Sequence, residues 1–131
     1  PYDTGARGID LCAAARIEKS LGKPAFCDYV FAPAEQALLG GLGGKRRAET
    51  AAANFAAKEA FLKAAGTGLG GFALPELALL RAANGAPYFE LSGRAAAWVK
   101  QRGLTVHVSL THENGLASAV VVLEEHQPKG E

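Results

Sequence analysis

The chain has 131 residues, 49% of them apolar and 21% charged, with a formal net charge of +1. This is enough for one compact α+β domain with a real core and too little for two ordinary domains, so a single domain over 1–131 is expected, its core about 6–124. The charge balance excludes the bulk basic character of a nonspecific nucleic-acid binder, and the apolar content excludes a disordered chain.

The elements follow in chain order. Ala6–Leu11 reads as a short strand with Asp10 near its end, and Ala13–Leu21 as a helix stopped by Gly22 and Pro24. Pro33–Leu39 reads as a second helix, opened by proline and closed by Gly40–Gly41. Leu42–Arg47 reads as a flexible basic connection. Ala48–Ala65 is an Ala-rich helix without Gly or Pro, with Gly66 as its stop. From Ala51 to Ala65 its charged residues are Lys58, Glu59 and Lys63. A helix apolar nearly all round is buried on most sides, so these charges must find a cleft, an interface or an ion. Thr67–Phe72 is a loop. Leu77–Arg81 and Tyr88–Leu91 are short strands around a turn at Asn84–Gly85. Ser92–Arg102 is a helix with Ser92 as N-cap and Gly103 after its end. In Thr105–Thr111, Val106, Val108 and Leu110 alternate with His107, Ser109 and Thr111. Asn114–Gly115 is a hairpin turn, Leu116–Glu124 the return strand, and His126–Glu131 a polar, frayed tail. The fold expected is a small antiparallel sheet, made from the first strand, the 77–91 region and the C-terminal hairpin, packed on the long helix.

No run of about eighteen apolar residues predicts a membrane span. Pro1–Tyr2–Asp3–Thr4 lacks the basic region and apolar run of a signal peptide. Cys12 and Cys27 match neither a CxxC nor a zinc spacing, and two free thiols in a cytoplasmic protein are expected.

Several residues have two readings each. Asp10 is either a turn or N-cap residue, or a strand-end carboxylate facing a cleft and holding a metal ion. Glu59 and Lys63 share a helical face, as an ordinary intrahelical ion pair or as part of a site. Gly66–Gly71 follows a helix rather than a strand, which fits a helix stop better than a dinucleotide fingerprint. His112 sits at the lip of a hairpin, where a surface role is common. Lys45–Arg46–Arg47 is a solvated run or a phosphate clamp. A carboxylate pair with several cations would suit magnesium-assisted phosphoryl chemistry, and spacing goes no further.

The motifs together resemble the holo-acyl-carrier-protein synthases, the small bacterial phosphopantetheinyl transferases. The matching pieces are Gly8–Ile9–Asp10, Ala15–Arg16–Ile17–Glu18, Asn54–Phe55–Ala56–Ala57–Lys58–Glu59–Ala60–Phe61–Leu62–Lys63–Ala64, Gly66–Thr67–Gly68, Asn84–Gly85–Ala86–Pro87–Tyr88 and Val108–Ser109–Leu110–Thr111–His112, with the closing strand Ala117–Leu123. The resemblance implies transfer of the 4′-phosphopantetheine arm of coenzyme A to a serine of an apo acyl carrier protein in fatty acid biosynthesis, with adenosine 3′,5′-bisphosphate as co-product. It implies Mg²⁺, or Mn²⁺, on Asp10 and Glu59, with Lys63 stabilising pyrophosphate charge. Glu59, directly or through a metal-bound water, takes the serine proton. It further implies coenzyme contacts at Arg46, Lys58, Gly66, Thr67, Gly68, Pro87, Ser109, Thr111 and His112, a carrier-protein contact at Arg16, and a homotrimer whose sites lie between subunits.

This chain departs from the pattern at Asn54, where many relatives have an arginine at the phosphate end of the coenzyme; Lys45, Arg46 or Arg47 would compensate. Two other readings use the same residues. One is a catalytically silent coenzyme A or nucleotide-binding trimer, against which the intact Asp10–Glu59–Lys63 set speaks. The other is a structural oligomer packed through the Ala/Gly-rich helix.

Overall fold

In the computed structural model, which describes residues 5–126, the elements run β1 (Ala6–Ala13), α1 (Ala14–Leu21), α2 (Pro24–Val30), α3 (Pro33–Gly40), α4 (Gly44–Ala65), β2 (Leu77–Arg81), β3 (Pro87–Leu91), α5 (Gly93–Arg102), β4 (Leu104–Glu113) and β5 (Leu116–Glu125). The axis of the molecule is α4. Its alanines at 51, 52, 53, 56, 57 and 60 are all buried, and small side chains let strands approach its backbone. The helix ends at Gly66, whose φ of 77° is the left-handed conformation that glycine adopts without a Cβ penalty.

Two antiparallel sheets flank the helix, in place of the single sheet expected. One has the strand order β1-β5-β4, and the other is the separate hairpin β2-β3. The Asn114–Gly115 turn is as expected, with φ of 52° and 76° at its two residues, which suits a two-residue hairpin. Along β4 and β5 one face packs on α4 and the other looks outward, as the alternation predicts.

Three further local readings are corrected. Lys45–Arg47 is helical rather than a loose connection, because Lys and Arg are good helix formers once the glycine run ends at Gly44. Pro24 stops α1 but also opens α2, a helix the sequence reading left out; proline suits the first helical turn. Ser92 sits at the N-cap of α5 but makes no capping bond with its side chain. Glu76 Oε1 instead accepts from the Ala95 N–H at 2.9 Å. The tail beyond His126 lies outside the described residues.

Phe61 of α4 centres an aromatic cluster, with Phe72, Phe89 and Trp98 edge-on at 6.2, 5.4 and 6.5 Å between centroids. Beside it lies a buried polar network. Lys58 Nζ donates to Glu35 Oε1 at 2.6 Å and to the Leu74 and Leu77 carbonyls, both at 2.9 Å. Asn54 Nδ2 donates to Glu35 Oε2 at 2.9 Å and to the Leu79 carbonyl at 3.0 Å. Glu35 Oε1 also accepts from the Ala32 N–H at 2.9 Å. These bonds pin α3 and β2 to α4.

The backbone of β1 approaches that of α4 closely. A Cβ on Gly8 would lie 2.1 Å from the Ala60 carbonyl oxygen and 2.8 Å from the Ala64 nitrogen. Gly8→Ala is therefore expected to lose about 1–3 kcal/mol of stability by overpacking, read as a lower urea midpoint. Lys58→Met, which leaves the Glu35 carboxylate buried and uncompensated, is expected to cost about 3–5 kcal/mol in the same assay, against about 0.5 kcal/mol or less for a solvated lysine.

Candidate active site

Asp10 and Lys63 meet across the β1–α4 contact. Asp10 Oδ1 accepts from Lys63 Nζ at 2.9 Å, and Lys63 also donates to the Ile9 carbonyl at 3.0 Å. Ser118 of β5 donates its hydroxyl to the Asp10 carbonyl at 3.0 Å, fixing the strand from the other side. Asp10 is a mid-strand residue of β1, so the turn or N-cap reading is set aside.

Glu59 lies one turn before Lys63 on the same face of α4. Burial lifts its carboxyl above the ordinary value and the charge of Asp10 lifts it further, while Lys63 and Arg16 pull it down. Burial likewise pushes the Cys12 thiol up; Arg16 opposes this, and Asp10 and Glu59 add to it. The charges of Asp10, Lys63 and Arg16 thus all reach Glu59, although they come from β1, α4 and α1. Cys12 and Cys27 are both free thiols.

Glu59 Oε2 is buried and has no hydrogen-bond partner among the described residues. Such an oxygen is costly when ionised unless a donor or cation faces it. Among the described residues, no group of three or more His, Cys, Asp or Glu comes together. Asp10 and Glu59 are two carboxylates, a donor set that fits Mg²⁺, an ion that takes one or two carboxylates and fills its shell with water and phosphate oxygens.

A second feature lies toward the start of α4. Arg46, Glu49, Thr50, Arg81 and His112 line a cleft of about 260 Å³. Thr50 and Glu59 are roughly 14 Å apart along the helix, so within one chain this cleft and the carboxylates are separate. Arg46 and His112, from α4 and β4, thus line one cleft. Pro87 pairs with Arg81 in the β2-β3 hairpin, beside the cleft. Gly66, Thr67 and Gly68 are exposed just past the end of α4, and Thr67 donates its hydroxyl to the Gly68 carbonyl at 3.1 Å. Ser109 and Thr111 alternate with Leu110 and His112 along β4, and Thr111 and His112 both line a further cleft at the end of the strand. Arg16 is exposed on α1.

Lys58 is a correction. The resemblance makes it a coenzyme contact, but its side chain is fully buried against Glu35 and all three of its N–H donors are taken. Burial pulls its ammonium below the ordinary value and Glu35 opposes this. Asn54 is also buried rather than facing a ligand. The sequence reading missed Glu35, Ser118 and Arg81. The acidic residue in the first turn of a proline-opened helix was the one available signal for Glu35; for Arg81 and Ser118 there was none.

Residues 6–121 match the family model described as the 4′-phosphopantetheinyl transferase superfamily. The chain belongs to that superfamily. It is 40% identical over 119 residues to the holo-[acyl-carrier-protein] synthase of Treponema denticola, covering 89% of this chain and 95% of that protein. It is also similar to the crystal structure of a holo-(acyl-carrier-protein) synthase from Bacillus anthracis in complex with CoA (3′,5′-ADP). That structure has a TM-score of 0.80 and 33% identity, covering 94% of this chain and 98% of the other. The Helicobacter pylori holo-[acyl-carrier-protein] synthase in complex with coenzyme A gives a TM-score of 0.75 at 30% identity, over 90% of this chain and 99% of that one.

The raised Glu59 has a consequence for stability. A carboxyl with a folded pKa above its unfolded value of 4.5 contributes stability that is present below pH 4.5 and lost as pH rises through the folded value. Glu59→Gln is expected to raise the urea midpoint at pH 7, with the gain shrinking as the pH falls through the folded value and gone below about 4.5; an equal gain at every pH would refute the assignment.

Proposed function

We propose that this chain transfers the 4′-phosphopantetheine arm of coenzyme A to a serine hydroxyl of an apo acyl carrier protein, with adenosine 3′,5′-bisphosphate as co-product. It does so as a cytoplasmic homotrimer serving fatty acid biosynthesis. The observation that carries the reading is the partnerless, buried Glu59 Oε2 beside Asp10 and Lys63 in a phosphopantetheinyl transferase fold.

In the reaction the serine oxygen forms a bond to the phosphorus that bears the pantetheine arm, and the bridging bond to the nucleotide phosphate breaks. Glu59 takes the serine proton. Burial lifts its carboxyl above the ordinary value, which makes it a better base than a solvated carboxylate. Asp10 and Glu59 would hold Mg²⁺, or Mn²⁺ in the same role; when bound, the ion neutralises pyrophosphate charge and stabilises the leaving group. Lys63 is half-exposed and bonded to Asp10. A pair of that kind is worth about 0–1 kcal/mol, so an incoming phosphate can share the ammonium at little cost. Arg16 on α1 suits an acidic carrier surface, guiding encounter and orientation. The free thiols of Cys12 and Cys27 suit a reducing compartment.

Two observations support the trimer. The outward face of the β1-β5-β4 sheet exposes Ile9 and Leu11 at 61% and 59%, with Leu116 and Val120 at 44% and 38%. Such a contiguous apolar face suits burial against another copy. The cationic cleft and the carboxylate cluster also lie apart within one chain, and a neighbouring subunit can bring one against the other.

With apo acyl carrier protein, coenzyme A and Mg²⁺, the carrier is expected to gain the mass of one phosphopantetheine unit. Asp10→Ala and Glu59→Ala are expected to lower the rate by about 10²-fold or more while the circular dichroism spectrum is retained. Tight coenzyme binding without mass gain on any of several carriers would replace this reading with a silent binder.

A further inference from the structure

The cleft at the start of α4 contains a cation that the core itself holds in place. Asn54 is fully buried, and both of its amide hydrogens are spent, on Glu35 and on the Leu79 carbonyl. Its remaining oxygen, Oδ1, accepts from Arg81 Nη2 at 3.0 Å. Glu35, which fixes Asn54, is itself fixed by Lys58 at 2.6 Å. The inner edge of the Arg81 guanidinium is therefore tied to an inflexible network, and the freedom of a long side chain, worth about 2 kcal/mol, is largely removed before any ligand arrives. The other terminal nitrogen, Nη1, makes a long bond of 3.4 Å to the neighbouring Leu80 carbonyl.

Around this anchored fork the cleft collects Arg46 and Thr50 from α4 and His112 from β4. Glu49 lines it too and offsets one positive charge, so two guanidinium groups leave an excess of one. Paired forks with a hydroxyl and an imidazole match the three terminal oxygens and double charge of a phosphate monoester. A neutral ribose or base has no use for the second fork.

We propose that Arg81, oriented by Asn54, is a specificity residue for a terminal phosphate monoester on the nucleotide. The proposal rests on the coenzyme A reading above, in which the nucleotide carries a 3′-phosphate.

The test is calorimetric binding of coenzyme A and of 3′-dephospho-coenzyme A to the full chain and to Arg81→Gln and Arg81→Lys, without carrier protein. The full chain is expected to prefer coenzyme A by about tenfold or more, the range of a charge-assisted bidentate contact. Arg81→Gln is expected to lose most of that preference, and Arg81→Lys, which keeps the charge but not the fork, to fall between. An unchanged preference in both variants, or a loss of affinity for both ligands in equal proportion, overturns the proposal. Should Arg81→Gln fail to fold by circular dichroism, Arg81→Lys decides alone, and an unchanged preference there overturns it. A preference that follows Arg81 in a chain that transfers nothing to any carrier leaves this assignment standing and refutes the transferase. A chain that binds neither ligand refutes both.

Discussion

The close approach of β1 to α4 is the constraint on which the site depends. Gly8 lies against the Ala60 carbonyl with no room for a Cβ. That distance brings Asp10, two residues on, within reach of Lys63 and into the field of Glu59. Strand and helix are far apart in the chain and share no local signal. What joins them is the absence of side chains: a glycine on the strand and alanines at 56, 57, 60 and 64 on the helix. A Cβ at Gly8 would press on the Ala60 carbonyl and the Ala64 nitrogen and push β1, with Asp10, away from α4.

The same helix carries two ion pairs of opposite character. Lys58 and Glu35 are both fully buried, whereas Lys63 is 56% and Asp10 19% exposed. The buried pair is locked by carbonyls on every side, and removing one partner leaves an uncompensated charge in a medium that solvates it poorly. It serves architecture. The exposed pair is weakly held and can be rearranged by a ligand. It serves chemistry. Identity as lysine on a buried-looking helix does not separate the two; the partner and the solvent do.

Asn54 links the buried pair to the cleft at the start of α4. One side of its amide joins the buried pair, and the other positions Arg81 at the cleft. A residue read from the sequence as the loss of a cation is thus the support of a different cation, delivered from the end of β2. Arg46 stands in the same cleft, as the sequence reading allowed, and Arg81 was the unforeseen member.

Much of the fold was legible because its signals are local. Alanine content and Gly66 mark α4 and its end, alternation marks β4 and β5, and Asn114–Gly115 marks their turn. Glu59 and Lys63 were legible as neighbours on one face, since residues one turn apart share it whatever surrounds them, whereas Asp10 was joined to them only through the family resemblance. The sequence could not show that Lys58 turns inward, because Lys58 and Glu59 are adjacent and the direction of each depends on what packs against α4. Nor could it divide the strands into two sheets, or find Arg81 and Ser118. Those facts arise where separate elements meet, and only tertiary packing decides which side chain is buried, which is bonded and which is left facing a ligand.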